Sequence, residues 1–112
     1  MQVLNYSALL DLMGGSEEVA HQMLSAYLPD AEQLFYAIQS SAKVTDFDAL
    51  KKDSHSLKGS SRLIGAELFG DACYGLEKAA AAHDELGVTQ ALKNFDAEYH
   101  CLVEHIGKKL QA

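Results

Sequence analysis

Residues 47–65 read FDALKKDSHSLKGSSRLIG, and the spacing of their apolar and small side chains decides how the chain folds. Phe47, Leu50, Ser54, Leu57, Ser61 and Ile64 recur at alternating three- and four-residue intervals, the a/d spacing of a helix packed into a bundle seam. That stripe faces a core. At about 100° per residue, His55 lies roughly 130° from the centre of the stripe, so its imidazole should reach solvent while the helix beneath it stays anchored. Thr45 is the expected N-cap, with Asp48 near the capping-box position, and Gly65 is the expected stop. Ser54 and Ser61 are small seam residues. They should admit a neighbouring helix closely, with their hydroxyls bonded back to helix carbonyls.

The same period extends in both directions. The chain has one proline, Pro29, and no alternating apolar pattern flanked by turn residues, so the class is all-α. A short first helix around Tyr6 to Met13 places Leu9, Leu10 and Met13 on one side and ends at Gly14-Gly15. Ser16 should cap a second helix, with Glu17 and Glu18 at the positive end of its dipole. Val19, Met23, Tyr27, Leu34 and Ile38 keep phase across Pro29, which predicts one long, kinked helix. A fourth helix is expected from about Glu67 to Ala82, burying Phe69, Cys73, Leu76 and Ala80. A fifth should follow Gly87, with Leu92, Phe95, Tyr99, Leu102 and Ile106 inward and Lys108 and Lys109 near its negative end. Short connections imply antiparallel neighbours. The predicted architecture is a single domain over residues 1–112, an antiparallel up-down-up-down four-helix bundle with a short additional N-terminal helix on one end.

Composition narrows the function. A formal net charge of -7 argues against a nucleic-acid or anionic-membrane surface, because both need a positive face, and leaves proteins as the expected partners. No apolar run approaches the roughly 18 residues that would span a bilayer. Cys73 and Cys101 lack CxxC spacing and sit inside helical patterns. They read as small core residues of a chain in a reducing, cytoplasmic setting.

Against that acidic background, Lys51, Lys52, Lys58 and Arg62 place four of the nine basic residues in one window. Lys51, Lys58 and Arg62 stand at i−4, i+3 and i+7 from His55, spacings that put them beside it on the helix surface. A cationic pocket around the ring is therefore expected. It would disfavour imidazolium, leave a ring nitrogen free to act as a nucleophile, and attract a phosphoryl group carrying roughly two negative charges. Gly59 sits one turn beyond His55, where glycine costs about 1 kcal/mol relative to alanine. The flat spot it leaves would let another protein approach the imidazole.

These residues carry a family resemblance. His55-Ser56-Leu57-Lys58-Gly59-Ser60-Ser61, continued by Leu63-Ile64-Gly65-Ala66, resembles the phosphorylation motif of histidine-containing phosphotransfer (HPt) domains, with its H-x-L-K-G core. A looser likeness takes in Gly14-Gly15-Ser16-Glu17-Glu18, Met23 to Tyr27, and Cys73 to Glu77, so it covers roughly residues 9 to 82. The last helix matches only in length and periodicity. The resemblance implies that His55 is phosphorylated on Nε2, that Lys58 steadies the phosphoryl group and that Gly59 gives access. It also implies receiver domains as partners, one aspartate donating and another accepting. The Mg²⁺ and catalytic groups would belong to the receiver, with no cofactor in this chain and no autonomous catalysis. The pattern resembles domains tethered to hybrid sensor kinases as well as free-standing ones, with a monomer expected for the isolated domain.

Two other readings stand beside it. A bundle that docks on receivers without chemistry would share the surface but not the phosphohistidine. A metal-binding four-helix protein is suggested only by the four-residue spacings of Cys101 with His105 and of His100 with Glu104; a useful site needs three or four convergent ligands. Glu77 and Lys78 read as exposed.

Overall fold

A computed structural model describes residues 2–111. Five helices follow one another: α1 (Tyr6–Leu12), α2 (Glu17–Lys43), α3 (Phe47–Leu63), α4 (Glu67–Ala81) and α5 (Glu85–Gln111). The three-residue turns between α2, α3, α4 and α5 bring each helix back along its predecessor. α2 and α5 also pack on one another and close the four-helix bundle, as the seam spacing predicts. At 1.5 Å per residue, the 27 residues of α2 and of α5 span about 40 Å, which accounts for the 42 Å long axis. α3 and α4 are shorter. The length they leave uncovered is taken up by α1 and the segment before it, where Leu4 and Leu9 are buried and the Asn5 N–H donates to the Gly65 carbonyl at 2.9 Å.

Residues from every helix meet in one core. Phe35 of α2 stacks on Tyr99 of α5 with ring centroids 4.0 Å apart, and Phe69 of α4 lies 5.3 Å from Phe95. The α3 stripe is as predicted: Leu50, Ser54, Leu57 and Ser61 are buried and Phe47 packs at its margin. α2 differs in phase. Its buried face is Ala20, Leu24, Tyr27, Ala31, Phe35 and Ile38, whereas Val19 is exposed and Met23 and Leu34 are half-buried. The large side chains suggest a stripe one residue away because the buried face includes alanines 20 and 31, which carry little hydrophobic signal. The helix runs unbroken through Pro29, which sits on its exposed side.

Two helix starts also differ. Asp46, not Thr45, caps α3: its Oδ1 accepts from the Ala49 N–H at 3.1 Å. Thr45 adopts φ 53, and its N–H together with that of Asp46 closes the carbonyls of Ala42 and Ser41 at the end of α2, the work of a residue just past a helix. α5 begins at Glu85, so Gly87 lies in its first turn with its N–H held by Asp84 Oδ1 at 2.9 Å. An aspartate able to cap is a stronger start signal than the glycine after it. Ser16 caps α2 as expected, accepting from the Val19 N–H at 3.2 Å.

Candidate functional site

His55 stands in the middle of α3 on the face opposite the buried stripe, with its side chain 66% exposed. Its backbone is fixed from below by Leu50, Ser54 and Leu57. The Ser54 hydroxyl donates to the Leu50 carbonyl at 2.5 Å, as foreseen. Ser61 behaves otherwise: its Oγ lies 2.7 Å from the Tyr27 hydroxyl, a buried bond between α3 and α2.

The imidazole meets α4. Nδ1 lies 3.0 Å from Glu77 Oε2, and the other carboxylate oxygen, Oε1, lies 2.7 Å from Lys58 Nζ. One carboxylate thus holds both groups, and Glu77 and Lys58 are each only 16% exposed at the side chain. Burial alone would push the Glu77 carboxyl up; hydrogen bonds from Lys58 and His55, with their charges, outweigh it and hold the group below its ordinary value. Glu77 is therefore ionised near neutrality and can only accept. The proton of a neutral His55 ring must then sit on Nδ1, which leaves the Nε2 lone pair free. The arrangement can deliver an oriented nitrogen nucleophile, with an ammonium beside it.

The expected cationic pocket is not what surrounds the ring. The charged group touching His55 is a carboxylate, because α4 sets acidic residues against the cations of α3. Lys58 is paired to Glu77. Arg62 turns to α4, where Nη2 donates to Asp71 Oδ1 at 3.1 Å and Nε lies 3.7 Å from Glu67. Gly70 makes room for that path, since a Cβ there would meet Arg62 Cγ at 2.7 Å. Lys51 is exposed one turn before His55. At Gly59 a Cβ would meet nothing within 4 Å, so no contact inside the described structure calls for glycine there. Beyond it, Ser60, Leu63 and Ile64 with Met23, Ala26, Tyr27 and Asp30 line a shallow, mostly apolar groove between α3 and α2. Leu63 is exposed.

Glu77, expected among the exposed residues, is instead half-buried and part of the site. The signal lay in its position, four residues after buried Cys73 and roughly 80° from the centre of the α4 stripe at about 100° per residue, the margin from which a side chain reaches a neighbouring helix. Lys78 is exposed as expected, and Cys73 is buried. Cys101 is exposed, not a core residue: it precedes buried Leu102 and so points about 100° away from the inward face. Among the described residues no group of three or more His, Cys, Asp or Glu is placed to hold a metal, and Glu104 pairs with Lys108 at 3.2 Å.

Fold and geometry define a class: a small antiparallel helical bundle that offers one oriented, solvent-facing histidine on a central helix. The chain belongs to the HPt domain family, whose model matches residues 22–106. It is 28% identical over 91 residues to histidine-containing phosphotransfer protein 2 of Arabidopsis thaliana, a match that takes in 79% of this chain and 58% of that protein. The chain thus spans less than two thirds of that relative's length. Its fold is that of the crystal structure of histidine-containing phosphotransfer protein B from Pseudomonas aeruginosa PAO1, with a TM-score of 0.88 and 22% identity over 97% of this chain and 95% of that one. Among the described residues no helix is long and apolar enough to cross a membrane.

Proposed function

We propose that this protein is a phosphoryl carrier in a multistep two-component phosphorelay, in which His55 accepts a phosphoryl group from a receiver-domain aspartate and passes it to the aspartate of a response regulator. The observation that carries the reading is the Nδ1 contact with Glu77 at 3.0 Å on an otherwise exposed imidazole; membership of the HPt family supports it. In the forward step the Nε2 lone pair attacks phosphorus, the bond to the aspartyl oxygen breaks, and that oxygen leaves as carboxylate. The ring becomes a phosphoimidazolium whose Nδ1–H stays on Glu77. In the onward step an aspartate oxygen of the response regulator attacks phosphorus, the Nε2–P bond breaks, and its electron pair goes back to Nε2. Such transfer depends on positioning and electrostatics more than on groups that make or break bonds themselves.

Lys58 would turn from Glu77 to the phosphoryl oxygens, and Gly59 would let the receiver's active site reach Nε2. The contact surface would extend from Gly59 over Leu63 into the groove beside Met23. Mg²⁺ and the remaining catalytic groups would be the receiver's. Lys51 would act as a more distant member of the basic patch, and Arg62, held by α4 carboxylates, would add less. The domain would act as a monomer in the cytoplasm, with receivers of a hybrid kinase or a response regulator as partners.

The test incubates the protein and a His55→Gln variant with a phosphorylated receiver, quenches in alkali and follows acid-labile label. Label on the parent and none on the variant is the expected result. Binding to receivers with no label on either would favour a docking bundle without chemistry and overturn the carrier reading.

A further inference from the structure

Tyr74 stands one turn before Glu77 on α4 and faces the same seam. The residue is 44% exposed, a large aromatic left part in water beside Lys58. Three cations gather on it. Lys58 Nζ lies 5.0 Å from the ring centroid, Lys78 Nζ 5.2 Å and Arg62 Cζ 6.0 Å, all within the distance at which an aromatic face attracts a cation. Lys58 and Arg62 also have carboxylates, in Glu77 and Asp71.

Lys58 is the informative one. It shares the outer surface of α3 with His55, yet its side chain is 16% exposed where that of His55 is 66% exposed. A lysine stem is flexible, and two groups lie against its ammonium, the Glu77 carboxylate and the Tyr74 ring.

We propose that Tyr74 is a positioning residue for phosphoryl transfer, its ring face keeping the Lys58 ammonium beside His55 while Glu77 and an incoming phosphoryl group compete for it. The inference rests on the carrier reading, in which Lys58 meets the phosphoryl oxygens. A phosphoryl group brings roughly two negative charges, so Lys58 must shift away from its ion pair with Glu77 Oε1. The ring attracts the cation whichever anion it pairs with. Lys58 can then change partner without swinging out into water. The phenol hydroxyl has no part in this, so phenylalanine should serve as well.

Two measurements on the whole chain test the proposal, with urea midpoints of every variant recorded to exclude misfolding. The first needs no phosphoryl group: the ¹H–¹⁵N signal of the Lys58 ammonium at low temperature. It should persist in Tyr74→Phe and vanish in Tyr74→Leu; a persistent signal in Tyr74→Leu overturns the proposal. The second loads His55 with phosphoramidate, where Nε2 attacks phosphorus, the P–N bond to ammonia breaks, and ammonia leaves with a proton from solvent. Tyr74→Phe should load like the parent. Tyr74→Leu should load about 2- to 5-fold more slowly, the factor expected from losing one exposed cation–π contact, and should cause no further slowing in a Lys58→Ala background. Parent-like loading by Tyr74→Leu, or equal slowing in both backgrounds, overturns it. Because phosphoramidate needs no receiver, failure of receivers to label the parent would fall on the carrier reading alone.

Discussion

Gly59→Ala should make this protein more stable and, if His55 is a carrier, a poorer one. Gly59 lies inside α3 with ordinary helical backbone, and a Cβ built on it meets nothing within 4 Å, so alanine enters without strain. Replacing glycine by alanine in a helix interior is worth about 1 kcal/mol. For a chain of 112 residues, an unfolding entropy of about 2 cal/mol/K per residue turns that gain into a rise of roughly 4 °C in Tm. The added methyl group would stand one turn from His55, where the receiver's active site must come close to Nε2. Calorimetry gives the first number, and labelling from a phosphorylated receiver gives the second. Loading from phosphoramidate serves as the control, since a small donor needs no such clearance. Slower transfer from the receiver with unchanged loading from phosphoramidate is the expected pattern. A fall in Tm would refute the reading of Gly59 as free of internal contacts, and undiminished transfer from the receiver would refute the argument from access.

Three further outcomes follow from the geometry. Glu77 has a carboxyl held below its ordinary value of 4.5, so its contribution to stability should be fully present above that value and lost as pH falls through the lower folded one; the stability difference between the parent and Glu77→Gln should shrink as urea titrations are carried to pH below 4.5, and a constant difference would contradict it. Burial pushes the Cys73 thiol up to about 12 while Cys101 is exposed, so an aromatic disulfide reagent should titrate one thiol quickly in the native protein and the second only on unfolding; two equally fast thiols would refute the placement. Tyr27→Phe removes the buried bond to Ser61 and should cost about 1–3 kcal/mol, part of it recovered when Ser61→Ala removes the orphaned hydroxyl as well; an unchanged urea midpoint in the single variant would count against it.

The residues that were legible in sequence share a local cause. The α3 stripe and the outward direction of His55 depend only on helical period, and α3 keeps that period without interruption from Phe47 to Leu63. What was not legible depends on the register between helices. Glu77 reads as one more surface glutamate until α4 is laid antiparallel to α3, which brings its two oxygens to His55 and Lys58. The same register turns Arg62 away toward Asp71 and so reduces a cationic pocket inferred from one helix alone. Helix starts failed for a related reason. Thr45 and Asp46 can both cap, and the choice falls to the turn that closes α2. In α2 the buried face takes in alanines 20 and 31, whose small side chains do not mark it out until the neighbouring helices cover them.

His55, Lys58, Gly59, Tyr74 and Glu77 all belong to the α3–α4 hairpin, residues 47–81. The two 27-residue helices bury that hairpin's inner side, while the polar partners of the imidazole and of Lys58 come from α4. The molecule is thus divided into a working part and a chassis. Apart from the Tyr27 hydroxyl that pairs with Ser61, the chassis has to satisfy length, amphipathic period and volume, requirements that many sequences meet. A graft that carried these 35 positions onto another pair of long helices with matching inner faces should carry the histidine's orientation with it, and the outer surface of the chassis is then free to be shaped by whichever proteins must be recognised or refused.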